Sequence, residues 1–352
     1  MHRRFLGSSG LEVSVLSLGT MNFGSSIFPG IGGVSFEPAK NQVDRALEAG
    51  INLFDTADFY SKGESETLLG QALGARRNEV VVATKVFGPM GLDSMHGGLS
   101  RRHIVEACEA SLRRLGTDWI DLYQAHSWDD RVPVDETLRA FDDLIRAGKV
   151  RYIGSSNHTG WQLMKALATS DRLGGARYVS QQVQYSLAVR DFEHELLPCA
   201  LDQGVGGLIW SPLAQGYLTG KYATPGADAR LNKLGMVHVL DNQRNRAIVE
   251  TLTAIADERG GGATPGRIAV AWLLRKPGVT SVLIGPRTDP QLEDNLAAAA
   301  IGLTDGEMER LDAVSAIPVP YPLSHQRTSG IKRNPPPPAR VPYEPSSPEM
   351  RS

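Results

Sequence analysis

Four residues of this chain have the types and spacing to do acid–base chemistry together: Asp55, Tyr60, Lys85 and His126. A tyrosine hydroxyl titrates at about 10 when unperturbed, too high for efficient proton transfer at neutral pH. An ammonium within about 4–6 Å stabilises the phenolate and lowers that value, and Lys85 is placed to supply it. Lys85 is itself long and flexible, so a carboxylate such as Asp55 is needed to fix it and keep it charged. His126 can hydrogen-bond a substrate oxygen. The sum is a proton donor, Tyr60, aimed at a carbonyl oxygen without a nucleophile or a metal ion, which suits hydride delivery from a nicotinamide. Singly, each residue has a plain structural account: Asp55 capping a turn, Lys85 a solvated charge, His126 a core histidine. What links them is the scaffold that would carry them.

Short β-branched runs alternate with helical periodicity along the chain, the pattern of parallel strands joined by crossover helices. Eight strands are expected at 15–18, 51–54, 80–83, 119–124, 151–153, 178–183, 207–210 and 281–284. Helices are expected at 38–49, 64–73, 101–115, 134–147, 160–169, 192–202, 243–259 and 290–299. Asp289 reads as the N-cap of the last, with Pro290 at its first position. Eight such units without a composition break predict an α/β fold, one (β/α)8 TIM barrel, and 352 residues suit it. No Gly-x-Gly-x-x-Gly turn follows the first strand, against a Rossmann half. An N-terminal β-hairpin turning at Ser8, Ser9 and Gly10 precedes the barrel, and extra C-terminal helices are expected at 265–275 and 305–314. The barrel spans 1–330, and 331–352 reads as a Pro-rich extended or disordered tail. Barrel enzymes assemble their sites at the carboxyl ends of the strands, which is where Asp55, Lys85 and His126 fall. The glycine-rich loop 24–33 and the long insertion 221–240 belong to that same face.

Apolar residues make up 41% and charged residues 22%, with a net charge of -2, an ordinary globular balance without the positive excess of a nucleic-acid binder. No apolar run approaches the roughly eighteen residues that span a bilayer. Arg3-Arg4 resembles an export signal, but Glu12 and the serines interrupt the apolar core that such a signal needs. The two cysteines, Cys108 and Cys199, lack metal-type spacing and fit a reducing, cytoplasmic compartment. A metal-dependent barrel hydrolase could use Asp55, His126 and a modified Lys85. Its usual His-x-His at the end of the first strand is replaced here by Gly19-Thr20-Met21.

The stretches Leu18-Gly19-Thr20-Met21-Asn22-Phe23-Gly24, Phe54-Asp55-Thr56-Ala57 with Tyr60, Ala83-Thr84-Lys85 and Gln124-Ala125-His126 resemble the aldo-keto reductase superfamily in order and placement. The likeness runs from about residue 3 to 315 and looks nearest to the branch with the β subunits of voltage-gated potassium channels and their bacterial relatives. It implies that Asp55, Tyr60, Lys85 and His126 are the catalytic set, reducing aldehydes or ketones to alcohols. It further implies that Thr20, Met21 and Asp55 lie at the cofactor. Ser156, Asn157 and Gln182 would bind the nicotinamide carboxamide and Trp210 would lie against the ring, where many relatives carry tyrosine. Ser211, Pro212, Leu213, Gln215, Gly216 and Lys221 would follow the pyrophosphate, and Gly285, Arg287, Gln291, Asp294 and Asn295 the adenosine end. A guanidinium at Arg287 can meet a 2′-phosphate with paired hydrogen bonds, so the expected cofactor is NADPH. Phe23, Phe87 and Trp128, with Tyr60 and His126, and Phe59 beside them, would line the substrate pocket. The expected partner is a small carbonyl compound, with no nucleic acid and no membrane, and a homo-oligomer stays open. The rival within the same resemblance is a cofactor-binding sensor or interaction subunit with little turnover.

Overall fold

The computed structural model describes residues 1–26, 32–91, 93–223, 230–233, 235 and 237–330. The proline-rich segment 331–352 lies outside the described residues, as do parts of the loop 24–33 and of the insertion 221–240.

Strands β1 (Arg3–Phe5) and β2 (Glu12–Ser14) form the expected antiparallel hairpin. The Leu6 amide donates to the Leu11 carbonyl at 2.8 Å across its turn. Eight strands follow: β3 (Leu16–Gly19), β4 (Leu53–Asp55), β5 (Val81–Val86), β6 (Ile120–Ala125), β7 (Val150–Ser156), β8 (Tyr178–Gln184), β9 (Gly206–Trp210) and β10 (Val279–Ile284). They pair in parallel in chain order, and β10 closes on β3 to complete a (β/α)8 barrel.

The period of two in a strand sorts the side chains. Phe54, Val82, Tyr123, Ile209 and Val282 point outward into the layer packed against the helices. Leu53, Val81, Ala83, Leu122, Leu208 and Leu283 point inward and fill the barrel as a separate apolar cluster, joined by Leu6 and Val13 of the hairpin segment. The hairpin therefore plugs the amino end. Arg4 pins it there, donating to the carbonyls of Val279 and Leu274 at 2.6 and 2.7 Å. Two residues further along the same inward faces, the apolar layer gives way to Asp55, Lys85 and Gln124. Gly154 on β7 leaves room for that layer, since a Cβ there would collide with the Ser180 hydroxyl and crowd Gln124.

Helices Phe36–Glu48, Glu64–Leu73, Arg101–Leu115, Val134–Arg146, Gly160–Leu173, Leu196–Asp202, Gln243–Arg259 and Asp289–Ala297 follow the strands. The extra helices Pro265–Leu274 and Asp305–Val314 are present, and a further helix runs over Leu323–Gly330. Element boundaries shift by one to four residues from expectation, β7 and the helix Gly160–Leu173 among them, and three of the shifts have a physical reason. The helix expected over 192–202 is a short 3₁₀ turn, Asp191–Glu193, then Leu196–Asp202; starting there puts Pro198 in the first turn, where a missing N–H is tolerated. The cap before Pro290 is Thr288, with Asp289 already helical. β5 runs on through Lys85 and Val86, because these pair with Gln124 and Ala125 of β6, a tertiary match invisible to local pattern.

Candidate active site

Asp55 ends β4, Lys85 stands inside β5 and His126 follows β6, so three neighbouring strands bring their side chains to one rim. Lys85 is fully buried. Its Nζ donates to Asp55 Oδ1 at 2.5 Å, to the Thr56 carbonyl at 2.8 Å and to the Tyr60 hydroxyl at 3.4 Å. Three acceptors use the three protons of an ammonium. Burial alone would strip that charge, but Asp55 and then Tyr60 outweigh it and hold the Lys85 pKa above its ordinary value. The other oxygen of Asp55 accepts from Gln182 Nε2 at 2.8 Å and Gln124 Nε2 at 3.1 Å. Both carboxylate oxygens are thus tied to fixed donors.

The segment after β4 hugs β5. Thr56 and Asp58 amides donate to the Ala83 and Lys85 carbonyls at 2.9 and 3.2 Å, and the Tyr60 amide to the Ala57 carbonyl at 3.2 Å. Ser61 and Lys62 then turn the chain in left-handed conformations at φ 47° and 55°, strain that the Ser61 hydroxyl offsets with bonds to the Phe23 and Ser25 carbonyls at 2.8 and 2.9 Å. Burial raises the Tyr60 pKa above 10, and Lys85, pulling it down, does not overcome this. The expected net lowering is corrected: sequence shows the neighbouring charge but not the depth of the site. Tyr60 keeps its proton, the form a donor needs. His126 stays neutral, since burial first and Lys85 second hold its pKa well below 6.5. Its ring meets Tyr60 edge-on at 5.8 Å and Phe59 at 5.2 Å between centroids, and its Nδ1 is buried without a partner among the described residues.

The aldo/keto reductase family pattern matches residues 15–316. This chain belongs to the aldo/keto reductase family. An uncharacterized oxidoreductase of Bacillus subtilis is 40% identical over 323 residues, covering 88% of this chain and 94% of that one. A putative voltage-gated potassium channel β subunit of Schizosaccharomyces pombe is 37% identical over 88% of this chain and 92% of its own. The versiconal hemiacetal acetate reductase of Aspergillus parasiticus is 33% identical, with shares of 87% and 95%. The chain is therefore an oxidoreductase, and carbonyl reduction is the chemistry of its kind.

An aldo/keto reductase implies a nicotinamide dinucleotide, and the rim beside Lys85 has donors that fit one. Asn157, left-handed at φ 56°, donates to the His126 carbonyl at 3.0 Å and accepts from Trp210 Nε1 at 3.1 Å. Ser156 lies under Asn157, sharing a hydrogen bond of 3.0 Å with it. Beyond Trp210 the chain turns through Ser211, Ala214, Gln215 and Gly216, all at positive φ, with Pro212 buried and Leu213 half-buried between them. Left-handed backbone of this kind persists only where packing enforces it, and it forms anion-binding concavities of amide groups. The Lys221 ammonium lies against the space beside Gly216 that a Cβ would fill.

The remaining expected residues are placed as follows. Gln182 faces Asp55 with its amide, as described. Thr20 is buried, donating to the Asp55 carbonyl at 3.1 Å, and Met21 follows it half-buried. Exposed Gly285 and half-buried Arg287 precede helix Asp289–Ala297, and exposed Gln291 accepts from the Arg287 amide at 2.9 Å. Asp294 is engaged by Arg267 at 2.7 Å and Thr264 at 3.1 Å, and Asn295 is buried. Phe23 is 1% exposed inside the core, whereas Phe87 and Trp128 are half-buried and Phe59 is 37% exposed at the rim. Gln124 and the Thr56 carbonyl were not anticipated; the signal for Gln124 was its place two residues after the inward Leu122. A concavity of about 630 Å³ lined by Arg77, Arg113 and Arg114 lies between helices Glu64–Leu73 and Arg101–Leu115, apart from the strand ends that carry Asp55, Lys85 and His126.

Proposed function

We propose that this chain is an NADPH-dependent reductase of aldehydes or ketones, with Tyr60 as general acid, Lys85 and Asp55 supporting it and His126 orienting the carbonyl. The observation that carries the reading is the buried Lys85 ammonium bonded at once to Asp55 and to the Tyr60 hydroxyl. A reduced nicotinamide bound beside Trp210 would supply the hydride. The residues do the rest. Neutral His126 and the Tyr60 hydroxyl both offer hydrogen bonds to a carbonyl oxygen placed between them, polarising it. As negative charge develops on that oxygen, Tyr60 gives up its proton, and Lys85 stabilises the phenolate left behind. Asp55, held by Gln124 and Gln182, keeps Lys85 charged and in place. Ser156 and Asn157 would hold the carboxamide, the 211–216 turn with Lys221 the pyrophosphate, and Arg287 the 2′-phosphate at the amino end of helix Asp289–Ala297. Free thiols at Cys108 and Cys199 fit the cytoplasm.

The direct test follows consumption of NADPH and of NADH with a panel of aliphatic and aromatic aldehydes. Turnover is expected with NADPH, and Arg287→Ala should weaken NADPH binding by about 1.5–3 kcal/mol while sparing NADH, as for loss of hydrogen bonds to a charged group. Equal losses for the two would remove Arg287 from the phosphate site. The likeness to channel β subunits supports a second reading, a cofactor-holding subunit with little turnover. Tight NADPH binding without reduction of any aldehyde would select it.

A further inference from the structure

Behind the site lies a buried charge cluster that does not balance. Two cations and three carboxyl groups are packed there: Lys85 and Arg114 against Asp55, Glu66 and Asp58. Asp55 takes Lys85. Glu66, fully buried on helix Glu64–Leu73, takes Arg114 of helix Arg101–Leu115 at 2.6 Å and accepts from the Thr84 hydroxyl at 2.6 Å. Asp58 is left over. It is 0% exposed, and neither of its oxygens has a hydrogen-bond partner among the described residues. The Phe59 amide favours its ionised form without completing a bond. Its backbone is bonded to that of Lys85, it stands two residues before Tyr60, and the buried Tyr123 hydroxyl of β6 is within its electrostatic reach.

An unpaired buried carboxyl destabilises a fold, and groups kept at such a cost cluster where they serve function. We propose that Asp58 is a positioning residue for the proton on Tyr60: its unmatched carboxyl opposes departure of that proton from behind the Lys85–Asp55 pair. This rests on Tyr60 being the proton donor. Burial first and Glu66 second push Asp58 up to about 8, with Arg114 and Lys85 pulling the other way. Below that pH it is neutral and leaves Lys85 free to stabilise the phenolate formed in reduction. Above it, the new negative charge works against Lys85, so the tyrosine stays protonated into alkaline solution and the phenolate that alcohol oxidation requires is delayed.

The test compares the full chain with Asp58→Asn and Asp58→Ala. In both variants the alkaline titration of Tyr60, read as tyrosinate absorbance against Tyr60→Phe, should move down by roughly one pH unit. The alkaline limb of alcohol oxidation should move with it. Stability gives a separate reading: the unfolded aspartate releases its proton at about 3.9 while the folded one keeps it to about 8, so the native chain loses stability as pH rises between those values. Asp58→Asn should flatten that decline and melt higher than the parent at pH 8. If the tyrosinate titration and the oxidation limb stay in place whatever the melting does, Asp58 is structural and the inference falls. An active Tyr60→Phe would instead remove the donor assignment, and the absorbance titration would still report whether Asp58 acts on Tyr60.

Discussion

The two ends of the barrel are made from the same strands and obey opposite rules. At the amino end the inward positions of β4, β5 and β6 are Leu53, Val81 with Ala83, and Leu122, sealed by Leu6 and Val13. One pleat further on, the inward positions are Asp55, Lys85 and Gln124, satisfied by one another. The apolar end is stabilised by burial and asks little of geometry beyond volume. The polar end is worth having only if every donor finds its acceptor, because a half-satisfied buried network costs more than an apolar one. Stability should therefore reside at the plugged end and reactivity at the open end, and substitutions should separate the two.

The largest effect is expected at the open end. Tyr60→Phe removes one hydroxyl from the rim, so turnover of an aldehyde should fall by about 10²–10⁴-fold, the range of general-acid contributions. The melting temperature and cofactor affinity should scarcely move. A variant that keeps most of its rate would erase the division of labour, since the proposed proton donor would then be dispensable. The mirror-image change is Leu6→Ala in the plug. Leu6 is fully buried in the inner cluster, and truncating such a side chain costs about 2–5 kcal/mol of stability. Rate per folded molecule and its pH dependence should be retained; a shifted pH profile would mean that the plug communicates with the rim.

What the sequence disclosed follows the same division. The meeting of Asp55, Lys85 and His126 at one rim was legible because a barrel gathers the residues at its strand ends, and strand ends are marked by where β-branched runs stop. Gln124 was passed over because an amide does no acid–base work by itself; its role exists only once Asp55 is seen to need donors on its far side. Asp58 gave no signal, since neither its burial nor the charges that act on it, Glu66 and Arg114 from two separate helices, can be read from local sequence. For Tyr60 the lowering by Lys85 was legible, but the burial that outweighs it was not. A neighbouring charge can be inferred from type and placement, but desolvation is a property of everything packed around a group. The extension of β5 through Lys85 likewise came from pairing with β6, not from its own residues.

The smallest expected difference, between the double variant Asp55→Asn with Lys85→Met and Lys85→Met alone, is the most discriminating. Asp55→Asn would leave the fully buried Lys85 without its carboxylate, and the new amide could not serve both sides, because one of its ends would face donors it cannot accept from. Lys85→Met would leave Asp55 charged and its cation gone. Removing one partner of a buried pair typically costs about 3–5 kcal/mol, because the other charge stays buried and uncompensated. The double variant removes both charges at once, so it should be more stable than Asp55→Asn alone. Its residual turnover should match that of Lys85→Met within about threefold, as residues acting as one unit do not lose activity additively. Melting curves and single-substrate rates for the parent, both single variants and the double variant close the cycle. Additive losses in rate would mean that Asp55 reaches the reaction by a route other than Lys85, and the orderly polar layer would then be two sites rather than one.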